Sequence, residues 1–258
     1  MDNNHIFASG YLGRDLFDYP IAGMAFGNKS ASLRWSHIFN QKNYLNVTFH
    51  AVNSDYDLTM DFDAASKASL TSVIKDLSLR ADFSSNVGMT HSLAYGFQVT
   101  RHGFQPGSAR GGGSMALFGE IVMPENKAIE TSVFIGNTET IGTSLTLRYG
   151  LRLSTFHNYG PTTLYKYDSE YNLSEEIEKG SGFYHNNFGI EPRFALSYLL
   201  NEHSSIKASY TRTYQYMQQA SVSSSGTPMD VWYMASPNVK PQLSDQVSMG
   251  YFHNLMEN

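Results

Sequence analysis

Four carboxylates, Asp55, Asp57, Asp61 and Asp63, fall at near-alternating positions, a pattern of oxygen ligands that suits calcium. Asp61/Asp63 and Glu175/Glu176 also form the pairs that general acid–base catalysis uses. Such work needs two carboxylates held rigidly around a substrate, and both pairs fall in segments read as loops. Solvation is the plainer role for all of them. The nine histidines are scattered, with no pair at the spacing of a helix-borne metal site. His50, beside the apolar face of its strand, reads as a polar wall residue. Gly111-Gly112-Gly113 follows Arg110, but a phosphate cradle needs a preceding strand and a following helix, and the surroundings here read as loop. Asn46-Val47-Thr48 matches a glycosylation sequon that lies mid-strand. No catalytic residue, metal-ligand set or cofactor is expected from these positions.

Two other groups of side chains invite a functional reading. Arg148, Arg152, Glu191 and Arg193 recur at even spacing and would share one strand face. They would form charged ladders between neighbouring strands, contact another domain, or line a substrate path. The second group is aromatic: Tyr165, Tyr167, Tyr171 and Tyr184 in one long connection, and Asp230, Trp232 and Tyr233 in another. Aromatic platforms with a few polar groups are common in ligand recognition, and loops carry function more often than scaffold does. The same rings could equally fold the loops onto each other.

The elements that must position these groups have a period of two. Leu145, Leu147, Tyr149, Leu151 and Leu153 alternate with Thr146, Arg148, Gly150, Arg152 and Ser154. A strand puts all five apolar residues on one face, whereas a helix scatters them. The pattern recurs in Leu45–Ala51, Leu93–Val99, Ile129–Ile135, Phe188–Leu196 and Ile206–Tyr210. About ten strands are predicted, at 4–17, 28–39, 43–60, 69–83, 90–104, 126–138, 142–156, 186–199, 204–217 and 243–255. Leu173 to Lys179 could form a single helical turn inside a loop. Short connections at Asn40–Asn43, Ser84–Met89, Glu139–Ile141 and Leu200–His203 alternate with long ones near 18–27, 61–68, 105–125, 157–185 and 218–242. That sorting suits an antiparallel up-and-down transmembrane barrel, with short turns at one end and long loops at the other.

Composition agrees. Of 258 residues, 16% are charged and 14% aromatic, and the mean hydropathy is −0.33. A disordered chain would lack the aromatics, and an ordinary α/β enzyme would carry more charge. A barrel wall reconciles the numbers: lipid-facing positions are apolar, lumen-facing ones stay polar, and about 9–11 residues span the bilayer. Phe39, Tyr44, Tyr56, Phe156 and Tyr198 are expected to form interfacial girdles. The net charge of −5 gives no reason to expect nucleic acid, and zero cysteines excludes thiolate chemistry. Polar residues interrupt the longest uncharged stretch, Phe83 to Thr100, so no membrane helix is predicted. Met1-Asp2-Asn3-Asn4 does not read as a signal peptide, which leaves an intracellular chain or a true start elsewhere.

Several runs resemble the barrel of TonB-dependent outer-membrane receptors, Bacteroidetes type. They are Ser30-Ala31-Ser32-Leu33-Arg34-Trp35-Ser36-His37-Ile38-Phe39-Asn40, Leu147-Arg148-Tyr149-Gly150-Leu151-Arg152-Leu153-Ser154, Gly189-Ile190-Glu191-Pro192-Arg193, Ala208-Ser209-Tyr210-Thr211-Arg212, and Asn238-Val239-Lys240-Pro241-Gln242-Leu243-Ser244-Asp245-Gln246. The resemblance implies energy-coupled uptake of a siderophore, cobalamin, glycan or peptide across the outer membrane of a Gram-negative bacterium. It also implies lipid contact, a plug domain and the TonB system as partners. Family barrels close with roughly 22 strands, so residues 1–258 are expected to be a partial barrel domain without plug or signal peptide. The alternatives are a small stand-alone barrel acting as pore or adhesin, and a soluble secreted β-sheet binding protein.

Overall fold

The computed structural model describes residues 3–63, 66–112, 119–220 and 231–254. Ten long strands run in sequence: β1 (Asn4–Tyr19), β2 (Ala22–Asn40), β3 (Asn43–Asp63), β4 (Ser66–Val87), β5 (His91–Gly112), β7 (Asn126–Ile141), β8 (Leu145–Tyr167), β9 (Leu173–Asn201), β10 (Ser204–Gln215) and β13 (Gln242–His253). Short β6 (Glu120–Val122) pairs with β5, and β11 (Met217–Ala220) forms a hairpin with β12 (Val231–Met234). Every long strand pairs antiparallel with its neighbour in sequence, β1 through β10 and then β13. This is the all-β, up-and-down meander that the alternation predicts. Among the described residues no pairing joins β1 to β13.

Register aligns the apolar alternation across the sheet. One row runs Trp35, Val47, Ala81, Phe97, Val133, Leu153 and Ile190, and the next runs Leu45, Phe83, Tyr95, Ile135, Leu151 and Pro192. Between them in height, on the opposite face, stand Ser36, Asn46, Asp82, Gly96, Phe134, Arg152 and Glu191. Side chains of one row share a face because the pleat has period two. Val133 and Ile135 are each more than half exposed, and no second layer covers this face among the described residues. A water-soluble sheet would have to bury so large an apolar surface.

The polar face carries the buried cluster instead. Phe104, Ala128 and Phe156 on the sheet pack with Tyr216, Met234 and Ala235, and Trp232 lies against them. The segment that follows β10 therefore turns back over the sheet.

Several boundary and loop expectations are corrected. The connection near 18–27 is the two-residue turn Pro20-Ile21, and most of 157–185 is strand, interrupted only by residues 168–172. Leu173–Lys179 is the start of β9, not a helical turn. Long strands outrun the apolar belt because continuing the ladder satisfies backbone groups that a loop would leave to water. Beyond the belt both faces are wet, so the hydrophobic alternation that marks a strand disappears. Three girdle residues are also corrected. Tyr44, Tyr56 and Phe156 pair in register with Ser84, Ser72 and Asn187, on the face opposite the apolar rows. Phe156 is fully buried, stacked under Tyr216.

Candidate functional site

On the polar face, charged side chains from five adjacent strands form a continuous network. His102 (β5) lies between two carboxylates: Nδ1 is 2.8 Å from Asp76 Oδ1 (β4), and Nε2 is 3.5 Å from Glu130 Oε2 (β7). Arg152 (β8) stands 3.9 Å from Glu130 and 3.7 Å from Glu191 (β9). Arg193 reaches the other Glu191 oxygen at 3.6 Å. Antiparallel register sets Asp76 opposite His102 and Arg152 opposite Glu191 and makes His102 and Glu130 diagonal neighbours, whereas Arg152, opposite Phe134, meets Glu130 from four residues along the strand. Glu191 is buried, and two arginines plus a hydroxyl donor compensate its charge, as burial of a carboxylate requires.

The hydroxyl donor links the network to the folded-back segment. Ser154 Oγ donates to Glu191 Oε1 at 2.8 Å, so Tyr216 Oη, also 2.8 Å from Ser154 Oγ, donates to the serine. Gly189 makes room for this contact: a Cβ there would fall 2.6 Å from Ser154 Oγ and 2.8 Å from Tyr216 Oη. Asn158 Nδ2 donates to the Ala235 carbonyl, and the Ala235 amide donates to the Tyr216 carbonyl. Gln218 Nε2 donates to the Lys240 carbonyl, closing the return toward β13.

The sequence-selected charges separate into two groups. Arg152, Glu191 and Arg193 come together, whereas Arg148 has no salt bridge among the described residues and lines a shallow concavity of about 460 Å³ with Arg80, Arg152 and Arg193. The aromatic candidates disperse. Tyr165 and Tyr167 lie on the outer end of β8, and Tyr184 lies at the bulge where β9 skips a residue against β8. Tyr171 sits in the intervening turn at φ 64°. Trp232 packs on the buried cluster, and Tyr233 Oη donates to Gln218 Oε1 at 3.2 Å. Asp230 lies outside the described residues. Asp168 caps the same turn: its carboxylate accepts the Asn172 and Glu170 amides, which hold its pKa below the usual carboxylate value. Asp55 and Asp57, considered above for calcium, are both bound by Arg14, at 3.1 and 3.0 Å.

Asp76, His102, Glu130, Ser154 and Tyr216 were not singled out from sequence. The parity of the first four was readable, whereas Tyr216 follows β10, whose even positions carry the apolar alternation, and their mutual contact depends on register and on the turn after β10.

Residues 2–252 match the family described as TonB dependent receptor-like, beta-barrel. No curated protein sequence matches the chain. Among solved structures, the ferric preacinetobactin receptor BauA of Acinetobacter baumannii superposes with a TM-score of 0.64 at 13% identity, over 99% of this chain and 43% of its own. The copper transporter OprC gives 0.67 at 14% identity, over 98% and 41%. The alcaligin receptor FauA of Bordetella pertussis gives 0.61 at 14% identity, over 97% and 38%. The chain thus spans about two fifths of the length of the solved proteins it matches, and at these identities the likeness concerns the fold.

Proposed function

Because this chain belongs to the TonB-dependent receptor-like β-barrel family, we propose that it serves as part of the barrel wall of an outer-membrane receptor for energy-coupled nutrient uptake. The observation that carries this reading is the two-faced register. Apolar rows face one side without cover, and an ion-paired polar wall with a folded-back hairpin faces the other. In a closed barrel the first face meets lipid and the second lines the lumen. Arg148, Arg152, Glu191 and Arg193 are then lumen residues, available to a plug domain or to passing substrate.

In this reading the wall performs no bond chemistry. TonB would supply energy by acting on the plug, while the wall holds a polar passage and the outer strand ends shape the ligand mouth. Tyr165, Tyr167, Tyr171, Tyr184, Asp230, Trp232 and Tyr233 are the candidates for contact with a siderophore, cobalamin, glycan or peptide. The solved neighbours include two named for ferric siderophores or alcaligin and one for copper. A scarce metal chelate is consistent with that company.

The absence of cysteine makes the test direct. Leu151→Cys and Arg148→Cys would be introduced singly and challenged with a membrane-impermeant maleimide after insertion into lipid vesicles. The reading expects Cys at position 151 to be protected and Cys at position 148 to react through the aqueous lumen. Equal labelling at both positions would sink the membrane-wall reading.

A further inference from the structure

Between the charge network and the short turns, the polar face has a dent whose floor is almost bare of side chains. Ala94, Gly136 and Gly150 stand side by side in one register row on β5, β7 and β8, and Arg193 and Thr211 continue that row on β9 and β10. A Cβ at Gly150 would fall 2.8 Å from the Ile135 carbonyl oxygen and 3.0 Å from Gly136 Cα, so close strand packing keeps the floor clear. The flanking rows supply the rim. Arg152, opposite Phe134, lies two residues from Gly150 toward the network, and Arg148, opposite Thr138, lies two residues toward the short turns. Alternate residues of a strand share a face, so both arginines border the same space. Arg80 completes the rim, with its guanidinium carbon 5.6 Å from the centre of the Phe134 ring.

Four guanidinium groups therefore surround about 460 Å³, room enough for a small molecule. Nearby carboxylates answer their charge unevenly. Arg80 grips Asp82 through Nε and Nη2 at 2.8 and 2.7 Å. Arg152 and Arg193 share Glu191 at 3.7 and 3.6 Å, too long for full hydrogen bonds, and Arg152 stands 3.9 Å from Glu130. Arg148 forms neither an ion pair nor a hydrogen bond with any described residue, and both Arg148 and Arg193 are exposed. In a chain of net charge −5, this surplus of cations around a side-chain-free floor is a local feature.

We propose that the dent binds a small polyanion, whose carboxylate or phosphate groups are held by Arg148 and Arg193, with Arg152 and Arg80 completing the rim. A guanidinium presents paired N–H groups that match either anion bidentately. The glycine floor lets the ligand approach the backbone, and the Phe134 ring offers its carbon skeleton an apolar wall. The dent lies on the short-turn side of Glu191, whereas the folded-back hairpin and the outer strand ends lie on the other side. It is therefore a binding site separate from the aromatic candidates for the ligand mouth. Its place on an uptake path rests on the barrel-wall reading above; its affinity for anions does not.

The test uses the full chain in non-ionic detergent, titrated by calorimetry with inorganic pyrophosphate, with tricarballylate and with the neutral triamide of tricarballylate. The parent should bind at least one of the two anions at one site and should ignore the triamide; the tighter anion identifies the preferred group. Arg148→Gln, which breaks no contact of the folded chain, should lose roughly tenfold or more in affinity. Lys42→Gln, at the Asn40–Asn43 turn, removes the same charge elsewhere and should bind like the parent. Gly136→Val leaves the charge unchanged but fills the floor, where a Cβ meets nothing closer than the Tyr149 carbonyl oxygen at 3.5 Å, and it should also weaken binding. Equal affinity in the parent, Arg148→Gln and Gly136→Val would reduce the effect to diffuse charge and overturn the site. A parent that partitions into the detergent phase yet binds neither anion overturns this inference alone. A parent that binds the anions but stays in the aqueous phase upholds the site and overturns the barrel-wall reading.

Discussion

Tyr216 lies flat on Phe156, with ring centroids 5.0 Å apart and planes 7° from parallel, while its hydroxyl reaches Ser154 on the same strand as Phe156. One side chain therefore joins the folded-back segment to the polar wall by both packing and a hydrogen bond. Ser154 passes that link to Glu191 and so to Arg152 and Arg193.

Tyr216→Phe keeps the stacked ring and removes only the bond to Ser154. A loss of about 1 kcal/mol in docking of the segment is expected. Hydrogen exchange at the Ala235 amide, which donates to the Tyr216 carbonyl, should report it as faster exchange. Exchange unchanged from the parent would show that the hydroxyl contributes nothing to docking.

Gly189→Ala should destabilise where Gly180→Ala does not. A Cβ at 189 meets Ser154 Oγ, Tyr214 Cδ2 and Tyr216 Oη inside 3 Å, whereas a Cβ at 180 meets nothing within 4 Å. Overpacking of this kind costs about 1–3 kcal/mol. Urea midpoints in detergent decide it, and equal midpoints for the two variants would contradict the packing at Gly189.

Glu191→Ala removes the shared partner of Arg152 and Arg193 and leaves Ser154 without its acceptor. A loss of about 3 kcal/mol is expected, as for breaking a buried ion pair. Glu191→Gln retains an acceptor for Ser154 and should cost less. The same midpoints check the order, and an equal cost for Ala and Gln would remove Ser154 from the account.

Asp168 gives a pH dependence confined to the turn at 168–172. Its carboxyl pKa is lowered by the amides of Asn172 and Glu170, so the folded turn favours the ionised form. Its contribution is complete above the ordinary carboxylate pKa and is lost as pH falls through the lowered folded value. Amide exchange at Asn172 should therefore be protected at neutral pH and lose protection only in acid. Asp168→Ala should abolish protection at both, and retained protection would discount the cap.

The amino-acid sequence by itself determined which side chains belong to which face wherever one face is apolar. Leu145 through Leu153 alternate with polar residues, and that two-residue period can be satisfied only by a strand with unlike sides. It could not mark how far each strand runs, because past the apolar belt both faces meet water and residues such as Thr162 to Tyr167 carry no alternation. Nor could it reveal the network of Asp76, His102, Glu130, Arg152 and Glu191. Parity assigns each to the polar face, but their contact depends on the register of five strands, which a shift of one residue would undo. The burial of Phe156 beneath Tyr216 was likewise decided only in three dimensions. A ring on the polar face becomes core only when a distant segment folds back to exclude water from it.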